Sequence, residues 1–251
     1  MAQQRLDKII ASTGRYSRRE VKTLVREGRV LVDGRIAASA EDKCDPLTAR
    51  ISVNGEELFY REHTYVMLHK PAGVLSATED GRGETVLGLL APEYRKIGLF
   101  PVGRLDKDTE GLLLLTDDGA LAHDLLAPKK HVDKVYFVRT DGALDDADCK
   151  AFEQGITLGD ELECLPAKLE ILKSDAQSEA LITIREGKFH QIKRMLASRG
   201  KPVVYLKRLS MGSLTLDEGL SKGEYRLLTA EEIKNLRESG QFAQGKAGAD
   251  K

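Results

Sequence analysis

Apolar residues near the N terminus recur at helical spacing. Intervals of three and four predict two short helices, one through Leu6, Ile9 and Ile10 and one through Val21, Leu24 and Val25. The second helix begins with a capping box, in which Ser17 is the N-cap and Glu20 follows three residues later. Two apolar runs around Asp33-Gly34 then predict a β-hairpin. We therefore predict a compact α-β domain over residues 1–48.

The pattern becomes strand-like after residue 64. Residues 49–62 contain Asn54-Gly55 and mixed charge, which predicts a linker or a short hairpin. Apolar and alternating runs predict strands at residues 65–69, 111–115, 134–138 and 181–184, a turn at 116–119 and a helix from about residue 190 to residue 198. We place a second, larger domain at residues 63–236. Residues 237–251, rich in Gly, Ala, Gln and charge, are expected to form a disordered tail.

Composition narrows the class of protein. The 251 residues are 41% hydrophobic and 31% charged, so the chain can bury a core and is not disordered throughout. The three cysteines form no C-x-x-C pair, which argues against a disulfide scaffold or a zinc ribbon. No apolar run approaches the ~20 residues of a membrane span, and the first residues have no signal-peptide core. We therefore expect a cytoplasmic protein that does not enter membranes.

The formal net charge of −1 conceals a segregation of charge along the chain. Residues 3–35 carry a net charge of +5 and residues 185–208 carry +7, whereas residues 141–179 carry −8. Basic residues of the second predicted helix form one stripe beside its apolar face: Arg18, Lys22, Arg26 and Arg29. Such segments indicate a surface that binds a polyanion, although charge alone leaves an ordinary solvated surface equally open.

Three N-terminal motifs resemble the S-four-type RNA-binding domain. They are Arg5-Leu6-Asp7-Lys8, Ser17-Arg-Arg-Glu20 and the segment from Gly28 to Arg35. The resemblance implies that the second helix and the loop before it lie against folded RNA. The RNA-binding residues are then expected to be Arg18, Arg19, Lys22 and Arg26, whose charges would contact phosphates without reading sequence.

One charged loop is the most informative stretch of the chain. Residues 103–119 read GRLDKDTEGLLLLTDDG, which places Asp106 in a glycine-flanked loop before a buried strand. Taken alone, such an aspartate is more often part of a surface ion pair than of a catalytic site. The whole string, however, closely resembles the signature of pseudouridine synthases of the ribosomal small-subunit type, the RsuA family, in which this aspartate is catalytic.

Further motifs extend the resemblance over residues 61–230, in the family's order. They are Lys70-Pro71-x-Gly73, Lys134-x-Tyr136-x-Val138 and the string from Glu186 to Met195. The resemblance implies an α+β fold: a small α-β RNA-binding N-terminal domain followed by a catalytic domain around a mixed, mostly antiparallel sheet. It also implies that a specific uridine in ribosomal RNA is extruded, cut from its sugar and rejoined through carbon 5.

The resemblance assigns roles to three residues. Asp106 is the catalytic carboxylate, and Lys193 is the cation beside it, where many relatives have arginine. Tyr136 stacks on the displaced uracil. The alternative for Lys193 is a phosphate contact on a basic helix. From the residues alone, the pattern around Tyr136 favours a half-buried strand residue. The isomerisation needs no redox step, so no cofactor is expected.

Four further residues are expected to bind RNA around the catalytic loop: Arg104, Lys70, Lys188 and Arg194. Arg104 could instead brace the loop. His190 and Gln191 are expected to cap a helix or to form core hydrogen bonds. The five histidines and three cysteines are scattered, so no metal site is predicted, and there is no Walker-type or dinucleotide-binding glycine loop.

Two alternatives have to be weighed against a small-subunit enzyme. One is a synthase for large-subunit RNA, although such relatives often carry long basic C-terminal extensions and residues 237–251 have a net charge of only +1. The other is a non-catalytic ribosome-assembly factor, which would not require Asp106 and Tyr136. A different class, an RNA methyltransferase, would need a glycine-rich adenosylmethionine loop after a strand, and the sequence contains none. The expected partner is ribosomal RNA within a small-subunit assembly intermediate, bound by a monomer.

Overall fold

The computed structural model describes residues 3–81, 83–159 and 161–239, apart from the side chain of Pro128. The chain forms two compact units. The first contains residues 1–64 and 90–99, and the second contains residues 65–89 and 100–251. The sequence analysis did not foresee that residues 90–99 belong with the N-terminal residues.

The first unit combines three helices with short strands. Its elements are β1 (Gln4–Arg5), α1 (Leu6–Ala11), α2 (Arg18–Arg26), β2 (Val30–Val32), β3 (Arg35–Ile36), β4 (Lys43–Cys44), β5 (Ile51–Val53), β6 (Glu56–Leu58) and α3 (Pro92–Lys96). Four of the strands form an antiparallel sheet in the order β3-β2-β5-β6, and β1 pairs with β4.

The predicted start of α2 is confirmed. The Ser17 hydroxyl accepts a hydrogen bond from the Glu20 amide at 3.2 Å, and the Glu20 carboxylate accepts one from the Ser17 amide at 2.6 Å. These bonds satisfy two amides that a helix start leaves without intrahelical partners. The apolar side of the helix is buried in the core of the unit, so its basic residues are left on the solvent side.

Residues 49–62 are not a linker. Strands β5 and β6 form a hairpin, which confirms the other possibility raised by the sequence, and β5 adds it to the sheet of the first unit. Asn54 and Gly55 both have positive φ, 56° and 83°, as a tight two-residue turn requires. Ile51 and Val53 are buried because alternate residues of a strand point to the same face.

The second unit is built around one large sheet. Its elements are β7 (Tyr65–Lys70), β8 (Phe100–Pro101), β9 (Glu110–Thr116), α4 (Gly119–Leu126), a 3₁₀ turn (Pro128–Lys130), β10 (Lys134–Asp141), α5 (Asp146–Gln154), β11 (Lys168–Lys173), β12 (Gln177–Ile184), α6 (Gln191–Ser198), β13 (Val203–Met211), β14 (Leu214–Thr215), β15 (Tyr225–Leu227) and α7 (Ala230–Ser239).

The strand order is β11-β12-β10-β13-β9-β7-β15, with β14 paired to β13 and β8 paired to β9. All pairs in this sheet are antiparallel except β13–β9. The α+β fold with a mixed, mostly antiparallel sheet is therefore confirmed. None of the helices in the described part of the chain has the length and apolar character that a membrane crossing requires.

Two ends of elements differ from expectation. Residues 116–119 are not only a turn, because Asp118 accepts a hydrogen bond from the Leu121 amide and so caps α4, which begins at Gly119. The predicted start of the tail, residue 237, is too early. Helix α7 continues to Ser239, and its Arg237 donates hydrogen bonds to Asp118 and to the Tyr65 hydroxyl. Residues 240–251 lie outside the described residues.

Strand β9 lies inside the sheet, and all seven of its residues are buried. Its parallel pairing with β13 brings Gly111 opposite Arg208. Gly111 has a φ of 104°, and a Cβ at this position would lie 2.2 Å from the Arg208 carbonyl oxygen. Only glycine fits here, because both the backbone conformation and the close approach exclude a side chain.

Gly111→Ala is expected to destabilise the protein strongly, by about 2–4 kcal/mol, because a strained φ and a backbone clash occur together. Gly223→Ala is the matched control, since Gly223 also has a positive φ of 88° but has open space around its Cα. We expect the control to cost only about 1 kcal/mol. Urea unfolding measures both, and equal costs would show that the approach to Arg208 is unimportant.

Candidate active site

A cleft in the second unit brings together the residues that the sequence singled out. Its walls come from the loop of residues 103–109 before β9 (the Asp106 loop), from strands β10, β12 and β13, and from the start of α6. The residues that line the cleft are Arg104, Leu105, Asp106, Thr109, Tyr136, Ile184, Gly187, Lys188, His190, Gln191, Ile192, Lys193 and Leu206. Asp106, Tyr136 and Lys193, which are far apart in the sequence, therefore share one cavity.

The Asp106 loop is fixed on both sides of Asp106. The Ser76 hydroxyl donates to the Leu105 carbonyl at 2.9 Å and accepts from the Leu105 amide at 3.1 Å, and both bonds are buried. On the other side, the Thr109 amide donates to the Asp106 carbonyl at 3.1 Å and closes a tight turn. All three bonds hold backbone atoms of the loop, so the Asp106 side chain remains available to the cleft, where it is 26% exposed.

Lys70 supports this loop from below. It is fully buried, and its ammonium donates to the carbonyls of Pro71, Lys107 and Thr109 at 2.9, 3.2 and 2.9 Å. Burial lowers the pKa of Lys70 to about 8, against the opposing effect of nearby carboxylates. The geometry contradicts the expectation that Lys70 binds RNA, because all three of its hydrogen bonds go to loop carbonyls and none of its surface is accessible.

Lys193 is the cation beside Asp106, as the resemblance implied. Its ammonium lies 2.9 Å from Oδ2 of Asp106 and 2.5 Å from Oδ1 of Asp108. Burial lowers the pKa of Lys193, but the hydrogen bonds to Asp108 and Asp106 outweigh burial, so the pKa lies above that of an ordinary lysine. Lys193 therefore remains charged and places a positive charge beside the carboxylates of Asp106 and Asp108.

Asp108 is a partner of Lys193 that the sequence analysis missed. Its side chain is 75% exposed, and the hydrogen bond from Lys193 holds the pKa of its carboxyl below the ordinary value. One ammonium thus bridges two carboxylates two residues apart on the same loop. The D-x-D spacing was visible in the sequence, but only the folded loop shows that both side chains turn to the same lysine.

Aromatic and aliphatic residues also line the cleft. Tyr136 is 7% exposed, and it lines the cleft together with Ile184 and Leu206. Tyr136 lies on β10 opposite Ile182 of β12 and Arg208 of β13, in the middle of the sheet. This arrangement presents an aromatic ring and aliphatic groups to whatever occupies the cleft, while the carboxylate and the ammonium face it from the loop and from α6.

The string from Glu186 to Gln191 is held by its own side chains. The buried Glu186 carboxylate accepts hydrogen bonds from the Gln191 side chain at 2.7 Å and from the Leu165 amide at 2.8 Å. The Gln191 side chain in turn accepts from the Lys188 amide at 3.0 Å. Gln191 therefore forms core hydrogen bonds, as expected, and these bonds shape the turn that leads into α6.

His190 does not act as expected. It precedes α6 in a left-handed conformation and its side chain makes no capping hydrogen bond. Its Nε2 lies 3.6 Å from Oδ1 of Asp106, and its ring stacks on that of Phe189. Phe189 is 71% exposed and was not singled out by the sequence analysis.

The other predicted RNA contacts have different positions. Arg104 is exposed and lines the cleft. Lys188 is half-buried, lines the cleft, and contacts the Glu163 carbonyl and the Glu186 carboxylate. Arg194 is half-buried on α6 and does not line the cleft. In the first unit, the exposed surface of α2 carries all four of the expected residues: Arg18, Arg19, Lys22 and Arg26.

No group of three or more His, Cys, Asp or Glu side chains in the described part of the chain is arranged to bind a metal ion. The cleft is lined by several charged and polar side chains, among them a buried aliphatic hydroxyl. The hydroxyl is that of Thr109, which is 1% exposed and whose Oγ1 makes no hydrogen bond within the described chain.

Comparison with known proteins agrees with this geometry. The sequence pattern of the family described as RNA pseudouridylate synthase matches residues 64–198, more than half of the chain. The chain belongs to this family. The pattern of the S4 domain matches residues 4–46, so the first unit contains the expected S-four-type RNA-binding domain. The second unit of this synthase is thus its catalytic unit.

Several relatives resemble the synthase over most of its length. An uncharacterized RNA pseudouridine synthase of Bacillus subtilis is 50% identical, over 93% of this chain and 98% of its own. Ribosomal small subunit pseudouridine synthase A of Vibrio cholerae is 40% identical, over 92% and 99%. Ribosomal large subunit pseudouridine synthase B of Bacillus subtilis is 38% identical, over 93% and 96%. A crystal structure of a pseudouridylate synthase is 37% identical, with a TM-score of 0.65, covering 93% and 99%.

Lys70→Met tests the structural role of Lys70. The variant keeps the length of the side chain but leaves three carbonyls without their donor, so we expect a loss of about 1–3 kcal/mol in urea unfolding. The dependence of RNA affinity on salt should be unchanged. A salt slope reduced by about one unit would instead indicate that Lys70 contacts a phosphate.

Proposed function

We propose that this synthase converts one uridine of small-subunit ribosomal RNA into pseudouridine, with Asp106 as the catalytic carboxylate. The observation that supports the reaction is the pairing of Asp106 with Lys193 in a cleft that Tyr136 also lines. The relatives named as ribosomal enzymes support the RNA class.

The reaction leaves the atoms and the oxidation state of the nucleoside unchanged. The bond between N1 of uracil and C1′ of ribose breaks, a bond from C5 to C1′ forms, the proton at C5 leaves, and N1 gains a proton. The target base has to leave its stack to reach the cleft. Ionised Asp106 then acts at the reacting nucleoside, either by attack or by stabilising positive charge that develops on the sugar.

The remaining residues favour the charges and positions that this reaction needs. Lys193 supplies a fixed positive charge 2.9 Å from the Asp106 carboxylate, in a cleft that apolar residues also line. Tyr136 offers its ring as a stacking surface for uracil, and Ile184 and Leu206 exclude water beside it. A carboxylate, a fixed cation and an aromatic wall are together sufficient for base binding and for charge stabilisation at the sugar.

Asp106→Asn is expected to abolish pseudouridine formation, by about three orders of magnitude or more, because the amide keeps the shape but cannot ionise. RNA affinity and folding should stay near those of the wild type, since Lys193 retains its bond to Asp108. Tritium release from uracil-labelled ribosomal RNA measures the reaction.

Asp108→Asn is the comparison variant, because Asp108 shares Lys193 but does not line the cleft. We expect it to lower turnover far less than Asp106→Asn. If Asp108→Asn were inactive and Asp106→Asn were active, the roles of the two carboxylates would have to be exchanged.

We further propose that α2 of the S-four-type domain binds RNA phosphates. The support is its exposed basic surface opposite a buried apolar face. Reversing Arg18, Lys22 and Arg26 to glutamate should weaken RNA binding and reduce the slope of log affinity against log salt by up to about three units. Reversal of Lys150, Lys168 and Lys173, also exposed, gives the same change in net charge and is the control. Equal effects of the two triple variants would indicate a non-specific charge effect.

The small subunit is the finer part of the proposal. Relatives named for the small subunit support it at 40% and 38% identity, whereas the relative named for the large subunit, at 38%, makes the large subunit the alternative. Incubation with unmodified small-subunit and large-subunit transcripts, followed by pseudouridine mapping, separates the two. We expect one modified position, in the small-subunit transcript, and modification of the large-subunit transcript alone would favour the alternative.

We also propose that the enzyme acts in the cytoplasm, as a monomer, on an assembly intermediate of the small subunit. One chain supplies Asp106, Tyr136 and Lys193 to the cleft, which supports activity without a second copy. Extrusion costs least for an unpaired base, and this supports action before the ribosomal RNA is fully folded. Light scattering of the active protein tests whether it is a monomer. Comparison of turnover on naked ribosomal RNA with turnover on finished subunits tests whether it acts on an assembly intermediate.

A further inference from the structure

An exposed aromatic pair lies beside the catalytic carboxylate. The rings of Phe189 and His190 are stacked, with centroids 3.9 Å apart and an angle of 16° between their planes. Phe189 is 71% exposed, and the His190 side chain is 42% exposed. Neither ring has a role in the fold that explains this arrangement, because His190 does not cap α6 and Phe189 leaves most of its surface in water.

The position of the pair relates it to the substrate. His190 lines the cleft, with its Nε2 3.6 Å from Asp106, so Phe189 stacks on a ring at the edge of the active site. The neighbouring cleft residues Lys188 and Arg104 are cationic. An exposed aromatic ring among cations is the arrangement by which proteins bind unpaired nucleotides, because every base has a face that stacks and a phosphate that is attracted.

Extrusion of the target uridine removes a stacking contact from each neighbouring base, and an exposed aromatic ring can replace that contact. When a base leaves its stack, each neighbouring base loses contact with it. The cleft walls formed by Tyr136, Ile184 and Leu206 receive the target base itself, so a flanking base must find its surface outside them. The free face of Phe189 lies at that edge.

We propose that Phe189 and His190 form a stacking platform, on which the open face of Phe189 receives the unpaired base next to the target uridine. His190 supports the platform from the other side and links its position to Asp106. The proposal rests on RNA being the substrate of this family and adds where a second nucleotide binds. A hydrophobic protein partner would use the same ring, but the cationic neighbours favour RNA.

Direct binding tests the platform. The probe is a short single-stranded RNA with one uridine, carrying the fluorescent base 2-aminopurine on its 5′ side in one version and on its 3′ side in another. Wild-type full-length protein should quench one version by stacking. Phe189→Tyr keeps a ring and should bind within about twofold of the wild type, whereas Phe189→Leu should lose the quenching and weaken binding by about 5- to 100-fold.

The matched control is Phe59→Leu, which removes another exposed phenylalanine, 74% exposed and outside the cleft. Binding by this variant should equal that of the wild type. Absence of quenching with wild-type protein on either side of the uridine would overturn the proposal. Equal RNA binding by Phe189→Leu and Phe59→Leu would also overturn it. The proposal would likewise fail if Phe189→Leu bound RNA as the wild type does but lost binding to a protein partner.

Turnover on ribosomal RNA distinguishes stacking from other roles. Phe189→Leu should raise KM, leave kcat near the wild-type value and leave the salt slope of binding unchanged, since stacking releases no counterions. A fall in kcat with unchanged KM would mean that Phe189 only shields His190 and Asp106. An inactive wild-type protein would contradict the proposed function, whereas wild-type KM in Phe189→Leu contradicts the platform alone.

The hydroxyl of Thr109 supports a second, independent inference. Thr109 lines the cleft next to Asp106, is 1% exposed, and its Oγ1 has no hydrogen-bond partner within the described chain. A buried polar group without a partner lowers stability, so a threonine in place of the isosteric valine needs another explanation. We infer that Oγ1 hydrogen-bonds a polar atom on the edge of the extruded uracil.

Thr109→Val and Thr109→Ser test this role as a pair. Valine should leave the urea unfolding midpoint unchanged or raised, because it removes an unpaired buried hydroxyl, yet lower kcat/KM by about 2- to 13-fold. Serine keeps the hydroxyl and should retain more activity than valine. Wild-type kcat/KM in Thr109→Val would overturn the inference, and so would a lowered unfolding midpoint, because that would show that the hydroxyl is bonded within the protein.

Discussion

The parallel contact between β9 and β13 at Gly111 is the constraint on which the active site depends. Gly111 allows the two backbones to approach closely at Arg208. The Asp106 loop ends two residues before Gly111, at Thr109. In a parallel pair the preceding segments meet at the same end of the sheet. The loop with Asp106 and the helix with Lys193, which precede β9 and β13 respectively, therefore meet beside Tyr136 of β10.

The role of each lysine near the Asp106 loop depends on where it lies in the fold. Lys70 lies fully buried under the loop and bonds only to backbone carbonyls, whereas Lys193 reaches the cleft and bonds to two carboxylates. The first lysine fixes the loop, and the second places a positive charge beside the carboxylates of Asp106 and Asp108. Two residues of the same type thus have separable effects, one on stability and one on chemistry.

The cleft combines charged groups with an aromatic ring and aliphatic side chains, and a nucleoside offers partners for both. In the reaction that we propose, Asp106 and Lys193 act at the sugar and Tyr136 contacts the base. Outside the cleft, the exposed ring of Phe189 and the basic surface of α2 offer the two kinds of contact that unpaired and folded RNA use. Each unit therefore has its own means of contacting RNA.

Local interactions were predictable from the sequence. The capping box of α2, the hairpin at Asp33-Gly34 and the buried run of β9 depend on residues within a few positions of each other, so spacing alone predicts them. The pairing of Asp106 with Lys193 was expected only through the family resemblance, because no local rule relates residues 87 positions apart. The burial of Lys70, the sharing of Lys193 by Asp108 and the stacking of Phe189 on His190 were decided by the tertiary structure. Burial and side-chain contacts arise when strands and loops from distant parts of the chain assemble, and the sequence pattern around each of these residues is compatible with either outcome.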